Sequence, residues 1–340
     1  MTALAPAAEQ PAGPGPIRVA PPRERTSSWP LVDRIGYWLC WATGIGLCAI
    51  AAAIVLFMLF KGLSDLSFSL FTQSPAPSLH QSQAGGFRDP LIGTFIVTAV
   101  GIAIAAPLGV AIATWTSEYR RPSWLARAVE SAIETIAGVP SVVLAIFGLL
   151  LFARGLFGFL STSASNGTVT GQSFLVAGAL MSLLALPLIV GATREGLAQL
   201  PPRMREASFA LGKTRATTIR RVLLPSVRAE IASGVVLGMG RIIGDTAIPI
   251  ILLGATLKLE PAGKAPLLST LRGAGSTLTT YVYSNSPAGE GNAPQKAYAA
   301  AFVLLIIVLL LNALVTRLTR GDGGTPGRAY MLLRFSWLSR

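Results

Sequence analysis

The chain alternates long apolar runs with short polar segments, and the apolar runs are long for soluble helices. Six of them stand at about residues 35–60, 91–115, 126–152, 174–197, 229–255 and 298–315. Each is close to or above the ~20 residues a helix needs to cross the hydrocarbon core of a bilayer. The polar segments alternate in charge. Arg18, Arg23, Arg25 and Arg34 precede the first run, Arg120 and Arg121 follow the second, and a strongly basic stretch separates the fourth from the fifth. Arg317, Arg320, Arg328 and Arg334 follow the sixth, whereas 61–90 and 154–173 carry little charge. Basic segments stay on the cytoplasmic side. The pattern therefore predicts an all-α polytopic membrane protein with six transmembrane helices and both termini cytoplasmic.

Local signals refine the boundaries. Residues 1–30 are Pro- and Ala-rich and read as a disordered cytoplasmic tail, 31–320 as the membrane domain, and 321–340 as a basic cytoplasmic tail. The first run begins too late and runs too long for a cleavable signal peptide. Tyr37, Trp38 and Trp41 at its inner end suit an interfacial aromatic belt. In the third run, Gly138-Val139-Pro140 predicts a kink, as does Pro187 in the fourth. Glu130 and Glu134 share one helical face. They read as a solvated helix end, salt-bridged to Arg127 or a neighbour, in preference to an acid–base pair. Asn166-Gly167-Thr168 is formally a glycosylation acceptor, a weak signal on its own. The 256–297 segment is long, rich in Gly, Ser, Pro and Thr, and placed outside.

Composition agrees with the pattern. Of 340 residues, 52% are hydrophobic and only 13% charged, against about a quarter charged in a soluble domain. A net charge of +13 invites a nucleic-acid reading, but the basic residues follow the topology and no nucleic-acid partner is expected. Cys40 and Cys48 both fall in the first run, and His80 is the single histidine. No metal site and no disulfide framework is expected from them, and there is no nucleophile–base pair for a catalytic site.

The fifth run is unusual. Gly234, Gly238, Gly240 and Gly244 form two small-x3-small pairs, which allow helices to pack at close range. Between them Arg241 stands about twelve residues from either end, too deep to snorkel easily. Such a cation marks a substrate path or a paired site. Asp245 lies one turn further on, within reach as its partner, and Thr246 follows it; a structural Arg–Asp pair that only fixes helix register is the plainer alternative.

The basic stretch before it, residues 203–225, has internal spacing. Glu206, Ala207 and Ser208 are followed after three residues by Gly212, and after nine more by Val222-x-Leu224-Pro225. A short helix over Met204–Leu211, a break at Gly212 and a second helix from Thr214 are predicted, with a flat patch at Ala207 and Ser208 that another protein can approach. An amphipathic helix lying on the inner leaflet is the plainer alternative.

This spacing resembles the EAA loop of the permease subunits of bacterial ABC importers, with Ser208 for the second Ala and Val222 for Ile. Three further segments are similar to the permeases of phosphate-specific ABC importers, the PstA type most closely. They are the second span at IGTFIVTAVGIAIAAPLGVAIATWTSEY, the AGVPSVVLAIFG segment, and RIIGDTAIPIILLGA. The resemblance runs from about residue 91 to 318. It implies a type I ABC importer permease architecture, docking of the EAA loop into a cytoplasmic ATPase, and a role for Arg241 and Asp245 in phosphate passage. Asp245 stands where the family usually has Glu, and Pro249 is displaced from the family's position.

The resemblance implies a sister permease of PstC type, two ATPase subunits of PstB type that carry ATP and magnesium, an extracytoplasmic binding protein of PstS type, and location in the bacterial plasma membrane. No Gly-x4-Gly-Lys-Ser/Thr loop occurs in the chain, so ATP hydrolysis is expected on a partner and no cofactor on this chain. A permease for molybdate, tungstate or sulfate, a self-contained secondary transporter and a membrane-embedded enzyme are the competing readings.

Overall fold

The computed structural model describes residues 30–75, 85–119, 122–154, 172–253, 270–287, 289 and 293–320. The tail up to residue 29, His80, the Asn166-Gly167-Thr168 tripeptide, residues 254–269 and the tail from 321 onward lie outside them. Among the described residues the regular structure is helical, apart from one isolated bridge between Pro75 and Gly85.

The chain divides into two units, residues 1–56 and 57–340. The described part of the first is one apolar helix, the leading portion of α1 (Leu31–Ser64). Thr43 in this stretch donates its hydroxyl back to the Leu39 carbonyl. The helix can therefore meet lipid without an unpaired hydroxyl.

The second unit begins in the last turns of α1, where the Phe57 ring meets Tyr298 edge-on at 5.8 Å. It continues through α2 (Phe68–Thr72) and α3 (Arg88–Thr114), which widens into a π-helical turn at Trp115–Tyr119. α4 (Ser123–Gly138), α5 (Ser141–Arg154) and α6 (Phe174–Gln199) follow. Next come α7 (Pro202–Ala210), α8 (Arg215–Thr218), a second π-helical turn (Ile219–Leu223), α9 (Leu224–Ser226), α10 (Arg228–Gly244) and α11 (Ala247–Leu253). We label Leu278–Asn285 α12 and Pro294–Arg320 α13.

α6 is the axis of this unit. It is apolar on most of its circumference, which is the signature of a buried helix. Phe174, Val176, Ala177, Met181, Ala185 and Ile189 are fully enclosed, between α3 on one side and α10 on the other, with α5 and α11 over its first turns. Its first backbone donors would be orphans inside a membrane. They are taken up by distant chain: Ser173 N–H donates to the Leu252 carbonyl and Phe174 N–H to Gly273, both at 3.1 Å. The Ser173 hydroxyl caps Val176 N–H. A second apolar cluster joins α2, the start of α3, α12 and α13 around Phe87 and Tyr281. The Tyr281 hydroxyl and Asn285 Oδ1 are buried there without partners among the described residues. Burial pushes the Tyr281 phenol up to about 12.

Four described helices are long and apolar enough to cross a bilayer, and the number reaches six if each of two bent pairs, Ser123–Gly138 with Ser141–Phe152 and Arg215–Ser226 with Arg228–Gly244, counts as one span. The first pair corrects the expected kink in the third span. α4 and α5 meet at 106°, a break and not a bend. The cause is Pro140, which disfavours helical backbone at Val139 (ψ 129°) and whose carbonyl instead opens α5 by accepting from Val143 and Leu144. Pro187 does not interrupt its helix. α6 runs unbroken from Phe174 to Gln199 with the proline inside. The fifth span is also two helices, α10 and α11, with Asp245 and Thr246 between them.

Candidate coupling loop and translocation site

The basic stretch folds as a helical hairpin. Pro201 and Pro202 open α7 where a missing N–H costs nothing. α7 ends at Gly212, whose φ of +70° is left-handed. Lys213 N–H returns to the Ser208 carbonyl at 3.2 Å and Gly212 N–H to Phe209 at 2.9 Å, the paired bonds of a Schellman stop. The predicted break is therefore present, and glycine is what its backbone requires. Thr214 then caps α8 through Thr217 N–H. Leu224 and Pro225 lie in α9, and a 69° bend separates this segment from α10.

Ala207 and Ser208 do not form one flat patch. Ala207 is exposed, but Ser208 is buried and its hydroxyl shares a 2.8 Å hydrogen bond with Thr218. That bond ties α7 to α8, and Ser supplies a tie that Ala in its place would lack. The outward face of α7 carries Glu206, Ala207 and Phe209, and runs on to Leu211, which is 78% exposed. Val222 is half-buried among Leu197, Ile219, Leu223 and Val227, the small apolar cluster that seats the hairpin on the end of α6.

A charged clamp holds the hairpin to α3. Arg205 Nη2 lies 2.6 Å from Glu118 Oε1, its Nε 3.1 and 3.2 Å from the two carboxylate oxygens, and its remaining N–H groups reach the Leu197 and Leu200 carbonyls. Each nitrogen of the guanidinium thus donates to at least one oxygen. Arg215 donates to the Glu118 carbonyl and sits 5.6 Å over the Tyr119 ring. Both contacts land on the π-helical turn that ends α3. A cleft of about 490 Å³ opens beside the clamp, lined by Thr116, Ser117, Glu130, Arg194, Glu195 and Arg205 among others. Its arginines are already neutralised, Arg205 by Glu118 and Arg194 by Glu130 at 3.0 Å. Glu130 is thereby a structural partner, matched to Arg194 and not to Arg127, while Glu134 is exposed.

At the fifth span the glycines divide by role. Added Cβ atoms at Gly234 and Gly238 would meet Ala192 and Ala185 of α6 at 2.9 and 3.1 Å, so this pair does set a close helix crossing. Gly240 and Gly244 face open space. With Ser233, Leu237 and Arg241 they make one open stripe along α10. The Arg241–Asp245 pair that the sequence puts within reach does not form. α10 stops at Gly244, Asp245 turns extended (φ −78°, ψ 136°), and its buried carboxylate accepts from Ile248 N–H at 3.0 Å. Thr279 donates to the Asp245 carbonyl at 3.1 Å. Arg241 is in none of the ion pairs Arg88–Asp89, Arg194–Glu130 and Arg205–Glu118.

Residues 105–321 match the family described as the binding-protein-dependent transport system inner membrane component. The chain belongs to this family. It is an ABC importer permease subunit and an integral membrane protein. It is 30% identical over 286 residues to the probable ABC transporter permease protein YqgI of Bacillus subtilis, covering 80% of this chain and 91% of the relative. It is 29% identical to the phosphate transport system permease protein PstA of Haemophilus influenzae, covering 83% and 87%. Among solved structures, a chain of a bacterial alginate ABC transporter superposes with a TM-score of 0.59 at 17% identity, over 85% of this chain and 94% of that one. This likeness extends to the fold alone.

Within this permease, sequence reasoning missed Glu118. Its partner is 87 residues away, and nothing local marks it. The Asp245 cap was readable: Gly244-Asp245-Thr246-Ala247-Ile248-Pro249 runs helix stop, cap residue, then a proline in the first turn.

Proposed function

We propose that the chain is one of two permease subunits of an importer for inorganic phosphate, of the PstA type, in the bacterial plasma membrane. The observation that carries the reading is Arg241: a guanidinium midway along the fifth apolar run, in the last turn of α10, exposed on its open stripe and in no ion pair of the described chain. A cation left open at that depth suits an anion in transit, and the planar fork can donate two hydrogen bonds to a tetrahedral oxyanion. The sequence likeness to the PstA permease and the RIIGDTAIPIILLGA segment favour phosphate among such anions.

In this reading a PstS-type binding protein delivers phosphate outside, and a PstC-type sister permease completes the path. Two PstB-type ATPases hydrolyse magnesium-bound ATP inside, and this chain carries no cofactor. The outward face of α7, with Glu206, Ala207, Phe209 and Leu211, is the docking surface for one ATPase. Its motion passes through Arg205–Glu118 and Arg215–Tyr119 into the end of α3, and through Leu224, Pro225 and the 69° bend into α10. The spans then alternate between outward- and inward-open.

The test is the ATPase activity of the reconstituted complex with its binding protein loaded in turn with phosphate, molybdate and sulfate. Stimulation by phosphate alone, lost in Arg241→Ala with the complex still assembled, is the expected result. Stimulation by another oxyanion in place of phosphate reassigns the substrate. Loss of assembly in Arg241→Ala would make this arginine structural.

A further inference from the structure

The two halves of the broken third span expose different chemistry. On α5 the exposed side chains are Val142, Val143, Ile146, Phe147 and Leu150, a face suited to lipid. On α4, Arg127, Ser131, Glu134, Thr135 and Gly138 are exposed at the spacing that stacks residues along one helical face. Depth decides what that face means, because a polar face at the inner surface would simply be solvated. Ile133 packs against Leu186 and Val190, and Leu186 stands at the middle of α6, a helix long enough to cross the bilayer. Glu134 follows Ile133 directly, so its carboxylate lies near half-depth and not at a helix end. Glu130, one turn below, is matched to Arg194, whereas Glu134 is in none of the ion pairs Arg88–Asp89, Arg194–Glu130 and Arg205–Glu118. Thr135 turns its hydroxyl back to the Ser131 carbonyl at 2.7 Å and tolerates lipid. A carboxylate has no such recourse, and at that depth it faces water or a partner charge. Gly138, at the upper end of the face, also borders open space: an added Cβ would touch nothing within 4 Å.

We propose that α4 lines the inner half of a water-filled translocation path, with Glu134 as a fixed negative charge on its wall. The 106° break at Pro140 makes this possible, since it lets α5 turn an apolar face to lipid while α4 keeps a wet one. Arg127 stands two turns nearer the cytoplasm on the same face. An anion moving inward therefore passes a repelling carboxylate and then meets an attracting guanidinium. That order of charges discourages it from resting in the path and favours its exit.

The proposal rests on the alternating-access reading of this permease, but not on which anion it carries. The test is thiol labelling of the full complex in proteoliposomes with the ATPases facing out. In a Cys40→Ser, Cys48→Ser background, Ser131→Cys, Thr135→Cys, Val143→Cys and Ile146→Cys are made singly. Each is treated with membrane-impermeant methanethiosulfonates, one cationic and one anionic, with and without trapping by ATP and vanadate. The two α4 cysteines are expected to react at least about tenfold faster than the two on α5, and trapping should slow them about fivefold as the inner side closes. Adding Glu134→Gln to Ser131→Cys should raise the anionic-to-cationic rate ratio about threefold. Rates on α4 as slow as those on α5 would overturn the proposal, because the face would then be covered. Fast rates that ignore trapping would overturn it too, returning α4 to a solvated helix end. An unchanged reagent ratio would remove Glu134 from the wall. A complex stimulated by an oxyanion other than phosphate would reassign the substrate and leave all of these rates as they are.

Discussion

Two arginines, Arg205 and Arg241, show how this permease treats a guanidinium in opposite ways. Arg205 is locked: a carboxylate and two backbone carbonyls occupy its fork, in a hairpin seated on its own apolar cluster. Arg241 is left open, and the carboxylate placed to neutralise it is used to start another helix. A satisfied guanidinium transmits position, because moving it costs hydrogen bonds. An unsatisfied one is available to a ligand. The same residue type therefore serves as a linkage at one end of the unit and as a contact point further along it.

Substitutions can break this contrast. Arg241→Ala is expected to abolish uptake while shifting stability by no more than about 0.5 kcal/mol, as for other exposed positions. Transport and thermal melting of the purified complex measure the two sides. Glu118→Ala is expected to do the reverse first, costing about 2 kcal/mol by leaving a part-buried guanidinium without its charged partner. A double-mutant cycle with Arg205→Ala should recover most of that coupling. ATP hydrolysis that no longer responds to loaded binding protein would show that the clamp carries the signal. Equal loss of stability in Arg241→Ala and Glu118→Ala would erase the distinction.

Gly212→Ala is a smaller perturbation of the same hairpin. The space around the added Cβ is open, so the cost is that of left-handed backbone alone, about 1 kcal/mol. Weaker co-purification of the ATPase, with unchanged packing of the membrane helices, is the expected readout. The smallest effect belongs to Tyr281→Phe. Its hydroxyl has no partner among the described residues, so removing it should leave neutral-pH stability unchanged or slightly improved. Its phenol is raised from 10.0 to about 12. The folded state therefore holds a proton that the unfolded chain releases. The associated stability is complete below pH 10 and is lost as pH rises toward 12. Phe should flatten that alkaline limb relative to wild type in melts taken from pH 9 to 12.

Much of this was legible in the sequence, and what was missed has a physical cause. Apolar runs locate helices because lipid imposes one demand along the whole run, and the Gly212 stop follows from a local backbone need. Runs say less about continuity. The fifth run reads as one span because its apolar residues continue past Arg241 and Asp245, although the cap signal at Gly244-Asp245-Thr246 marks a break, and the third contains a proline whose presence does not state its angle. Pro140 follows an extended Val139 and breaks the helix, while Pro187 lies inside one that continues. Side-chain pairing was the least legible. Arg205–Glu118 and Arg194–Glu130 join elements far apart in the chain, and each arginine had nearer carboxylates in sequence, Glu206 and Glu195.

The start of α6 has a consequence for how this protein is made. Ribosomal synthesis delivers α6 to the membrane before α11 and the segment around Gly273 exist. Until Leu252 and Gly273 arrive, the Ser173 and Phe174 amides lack the acceptors they have in the finished fold. The central helix is thus inserted early and completed late. A nascent chain halted short of Leu252 should hold α6 with its first turn frayed, a natural recognition point for the membrane's quality-control proteases.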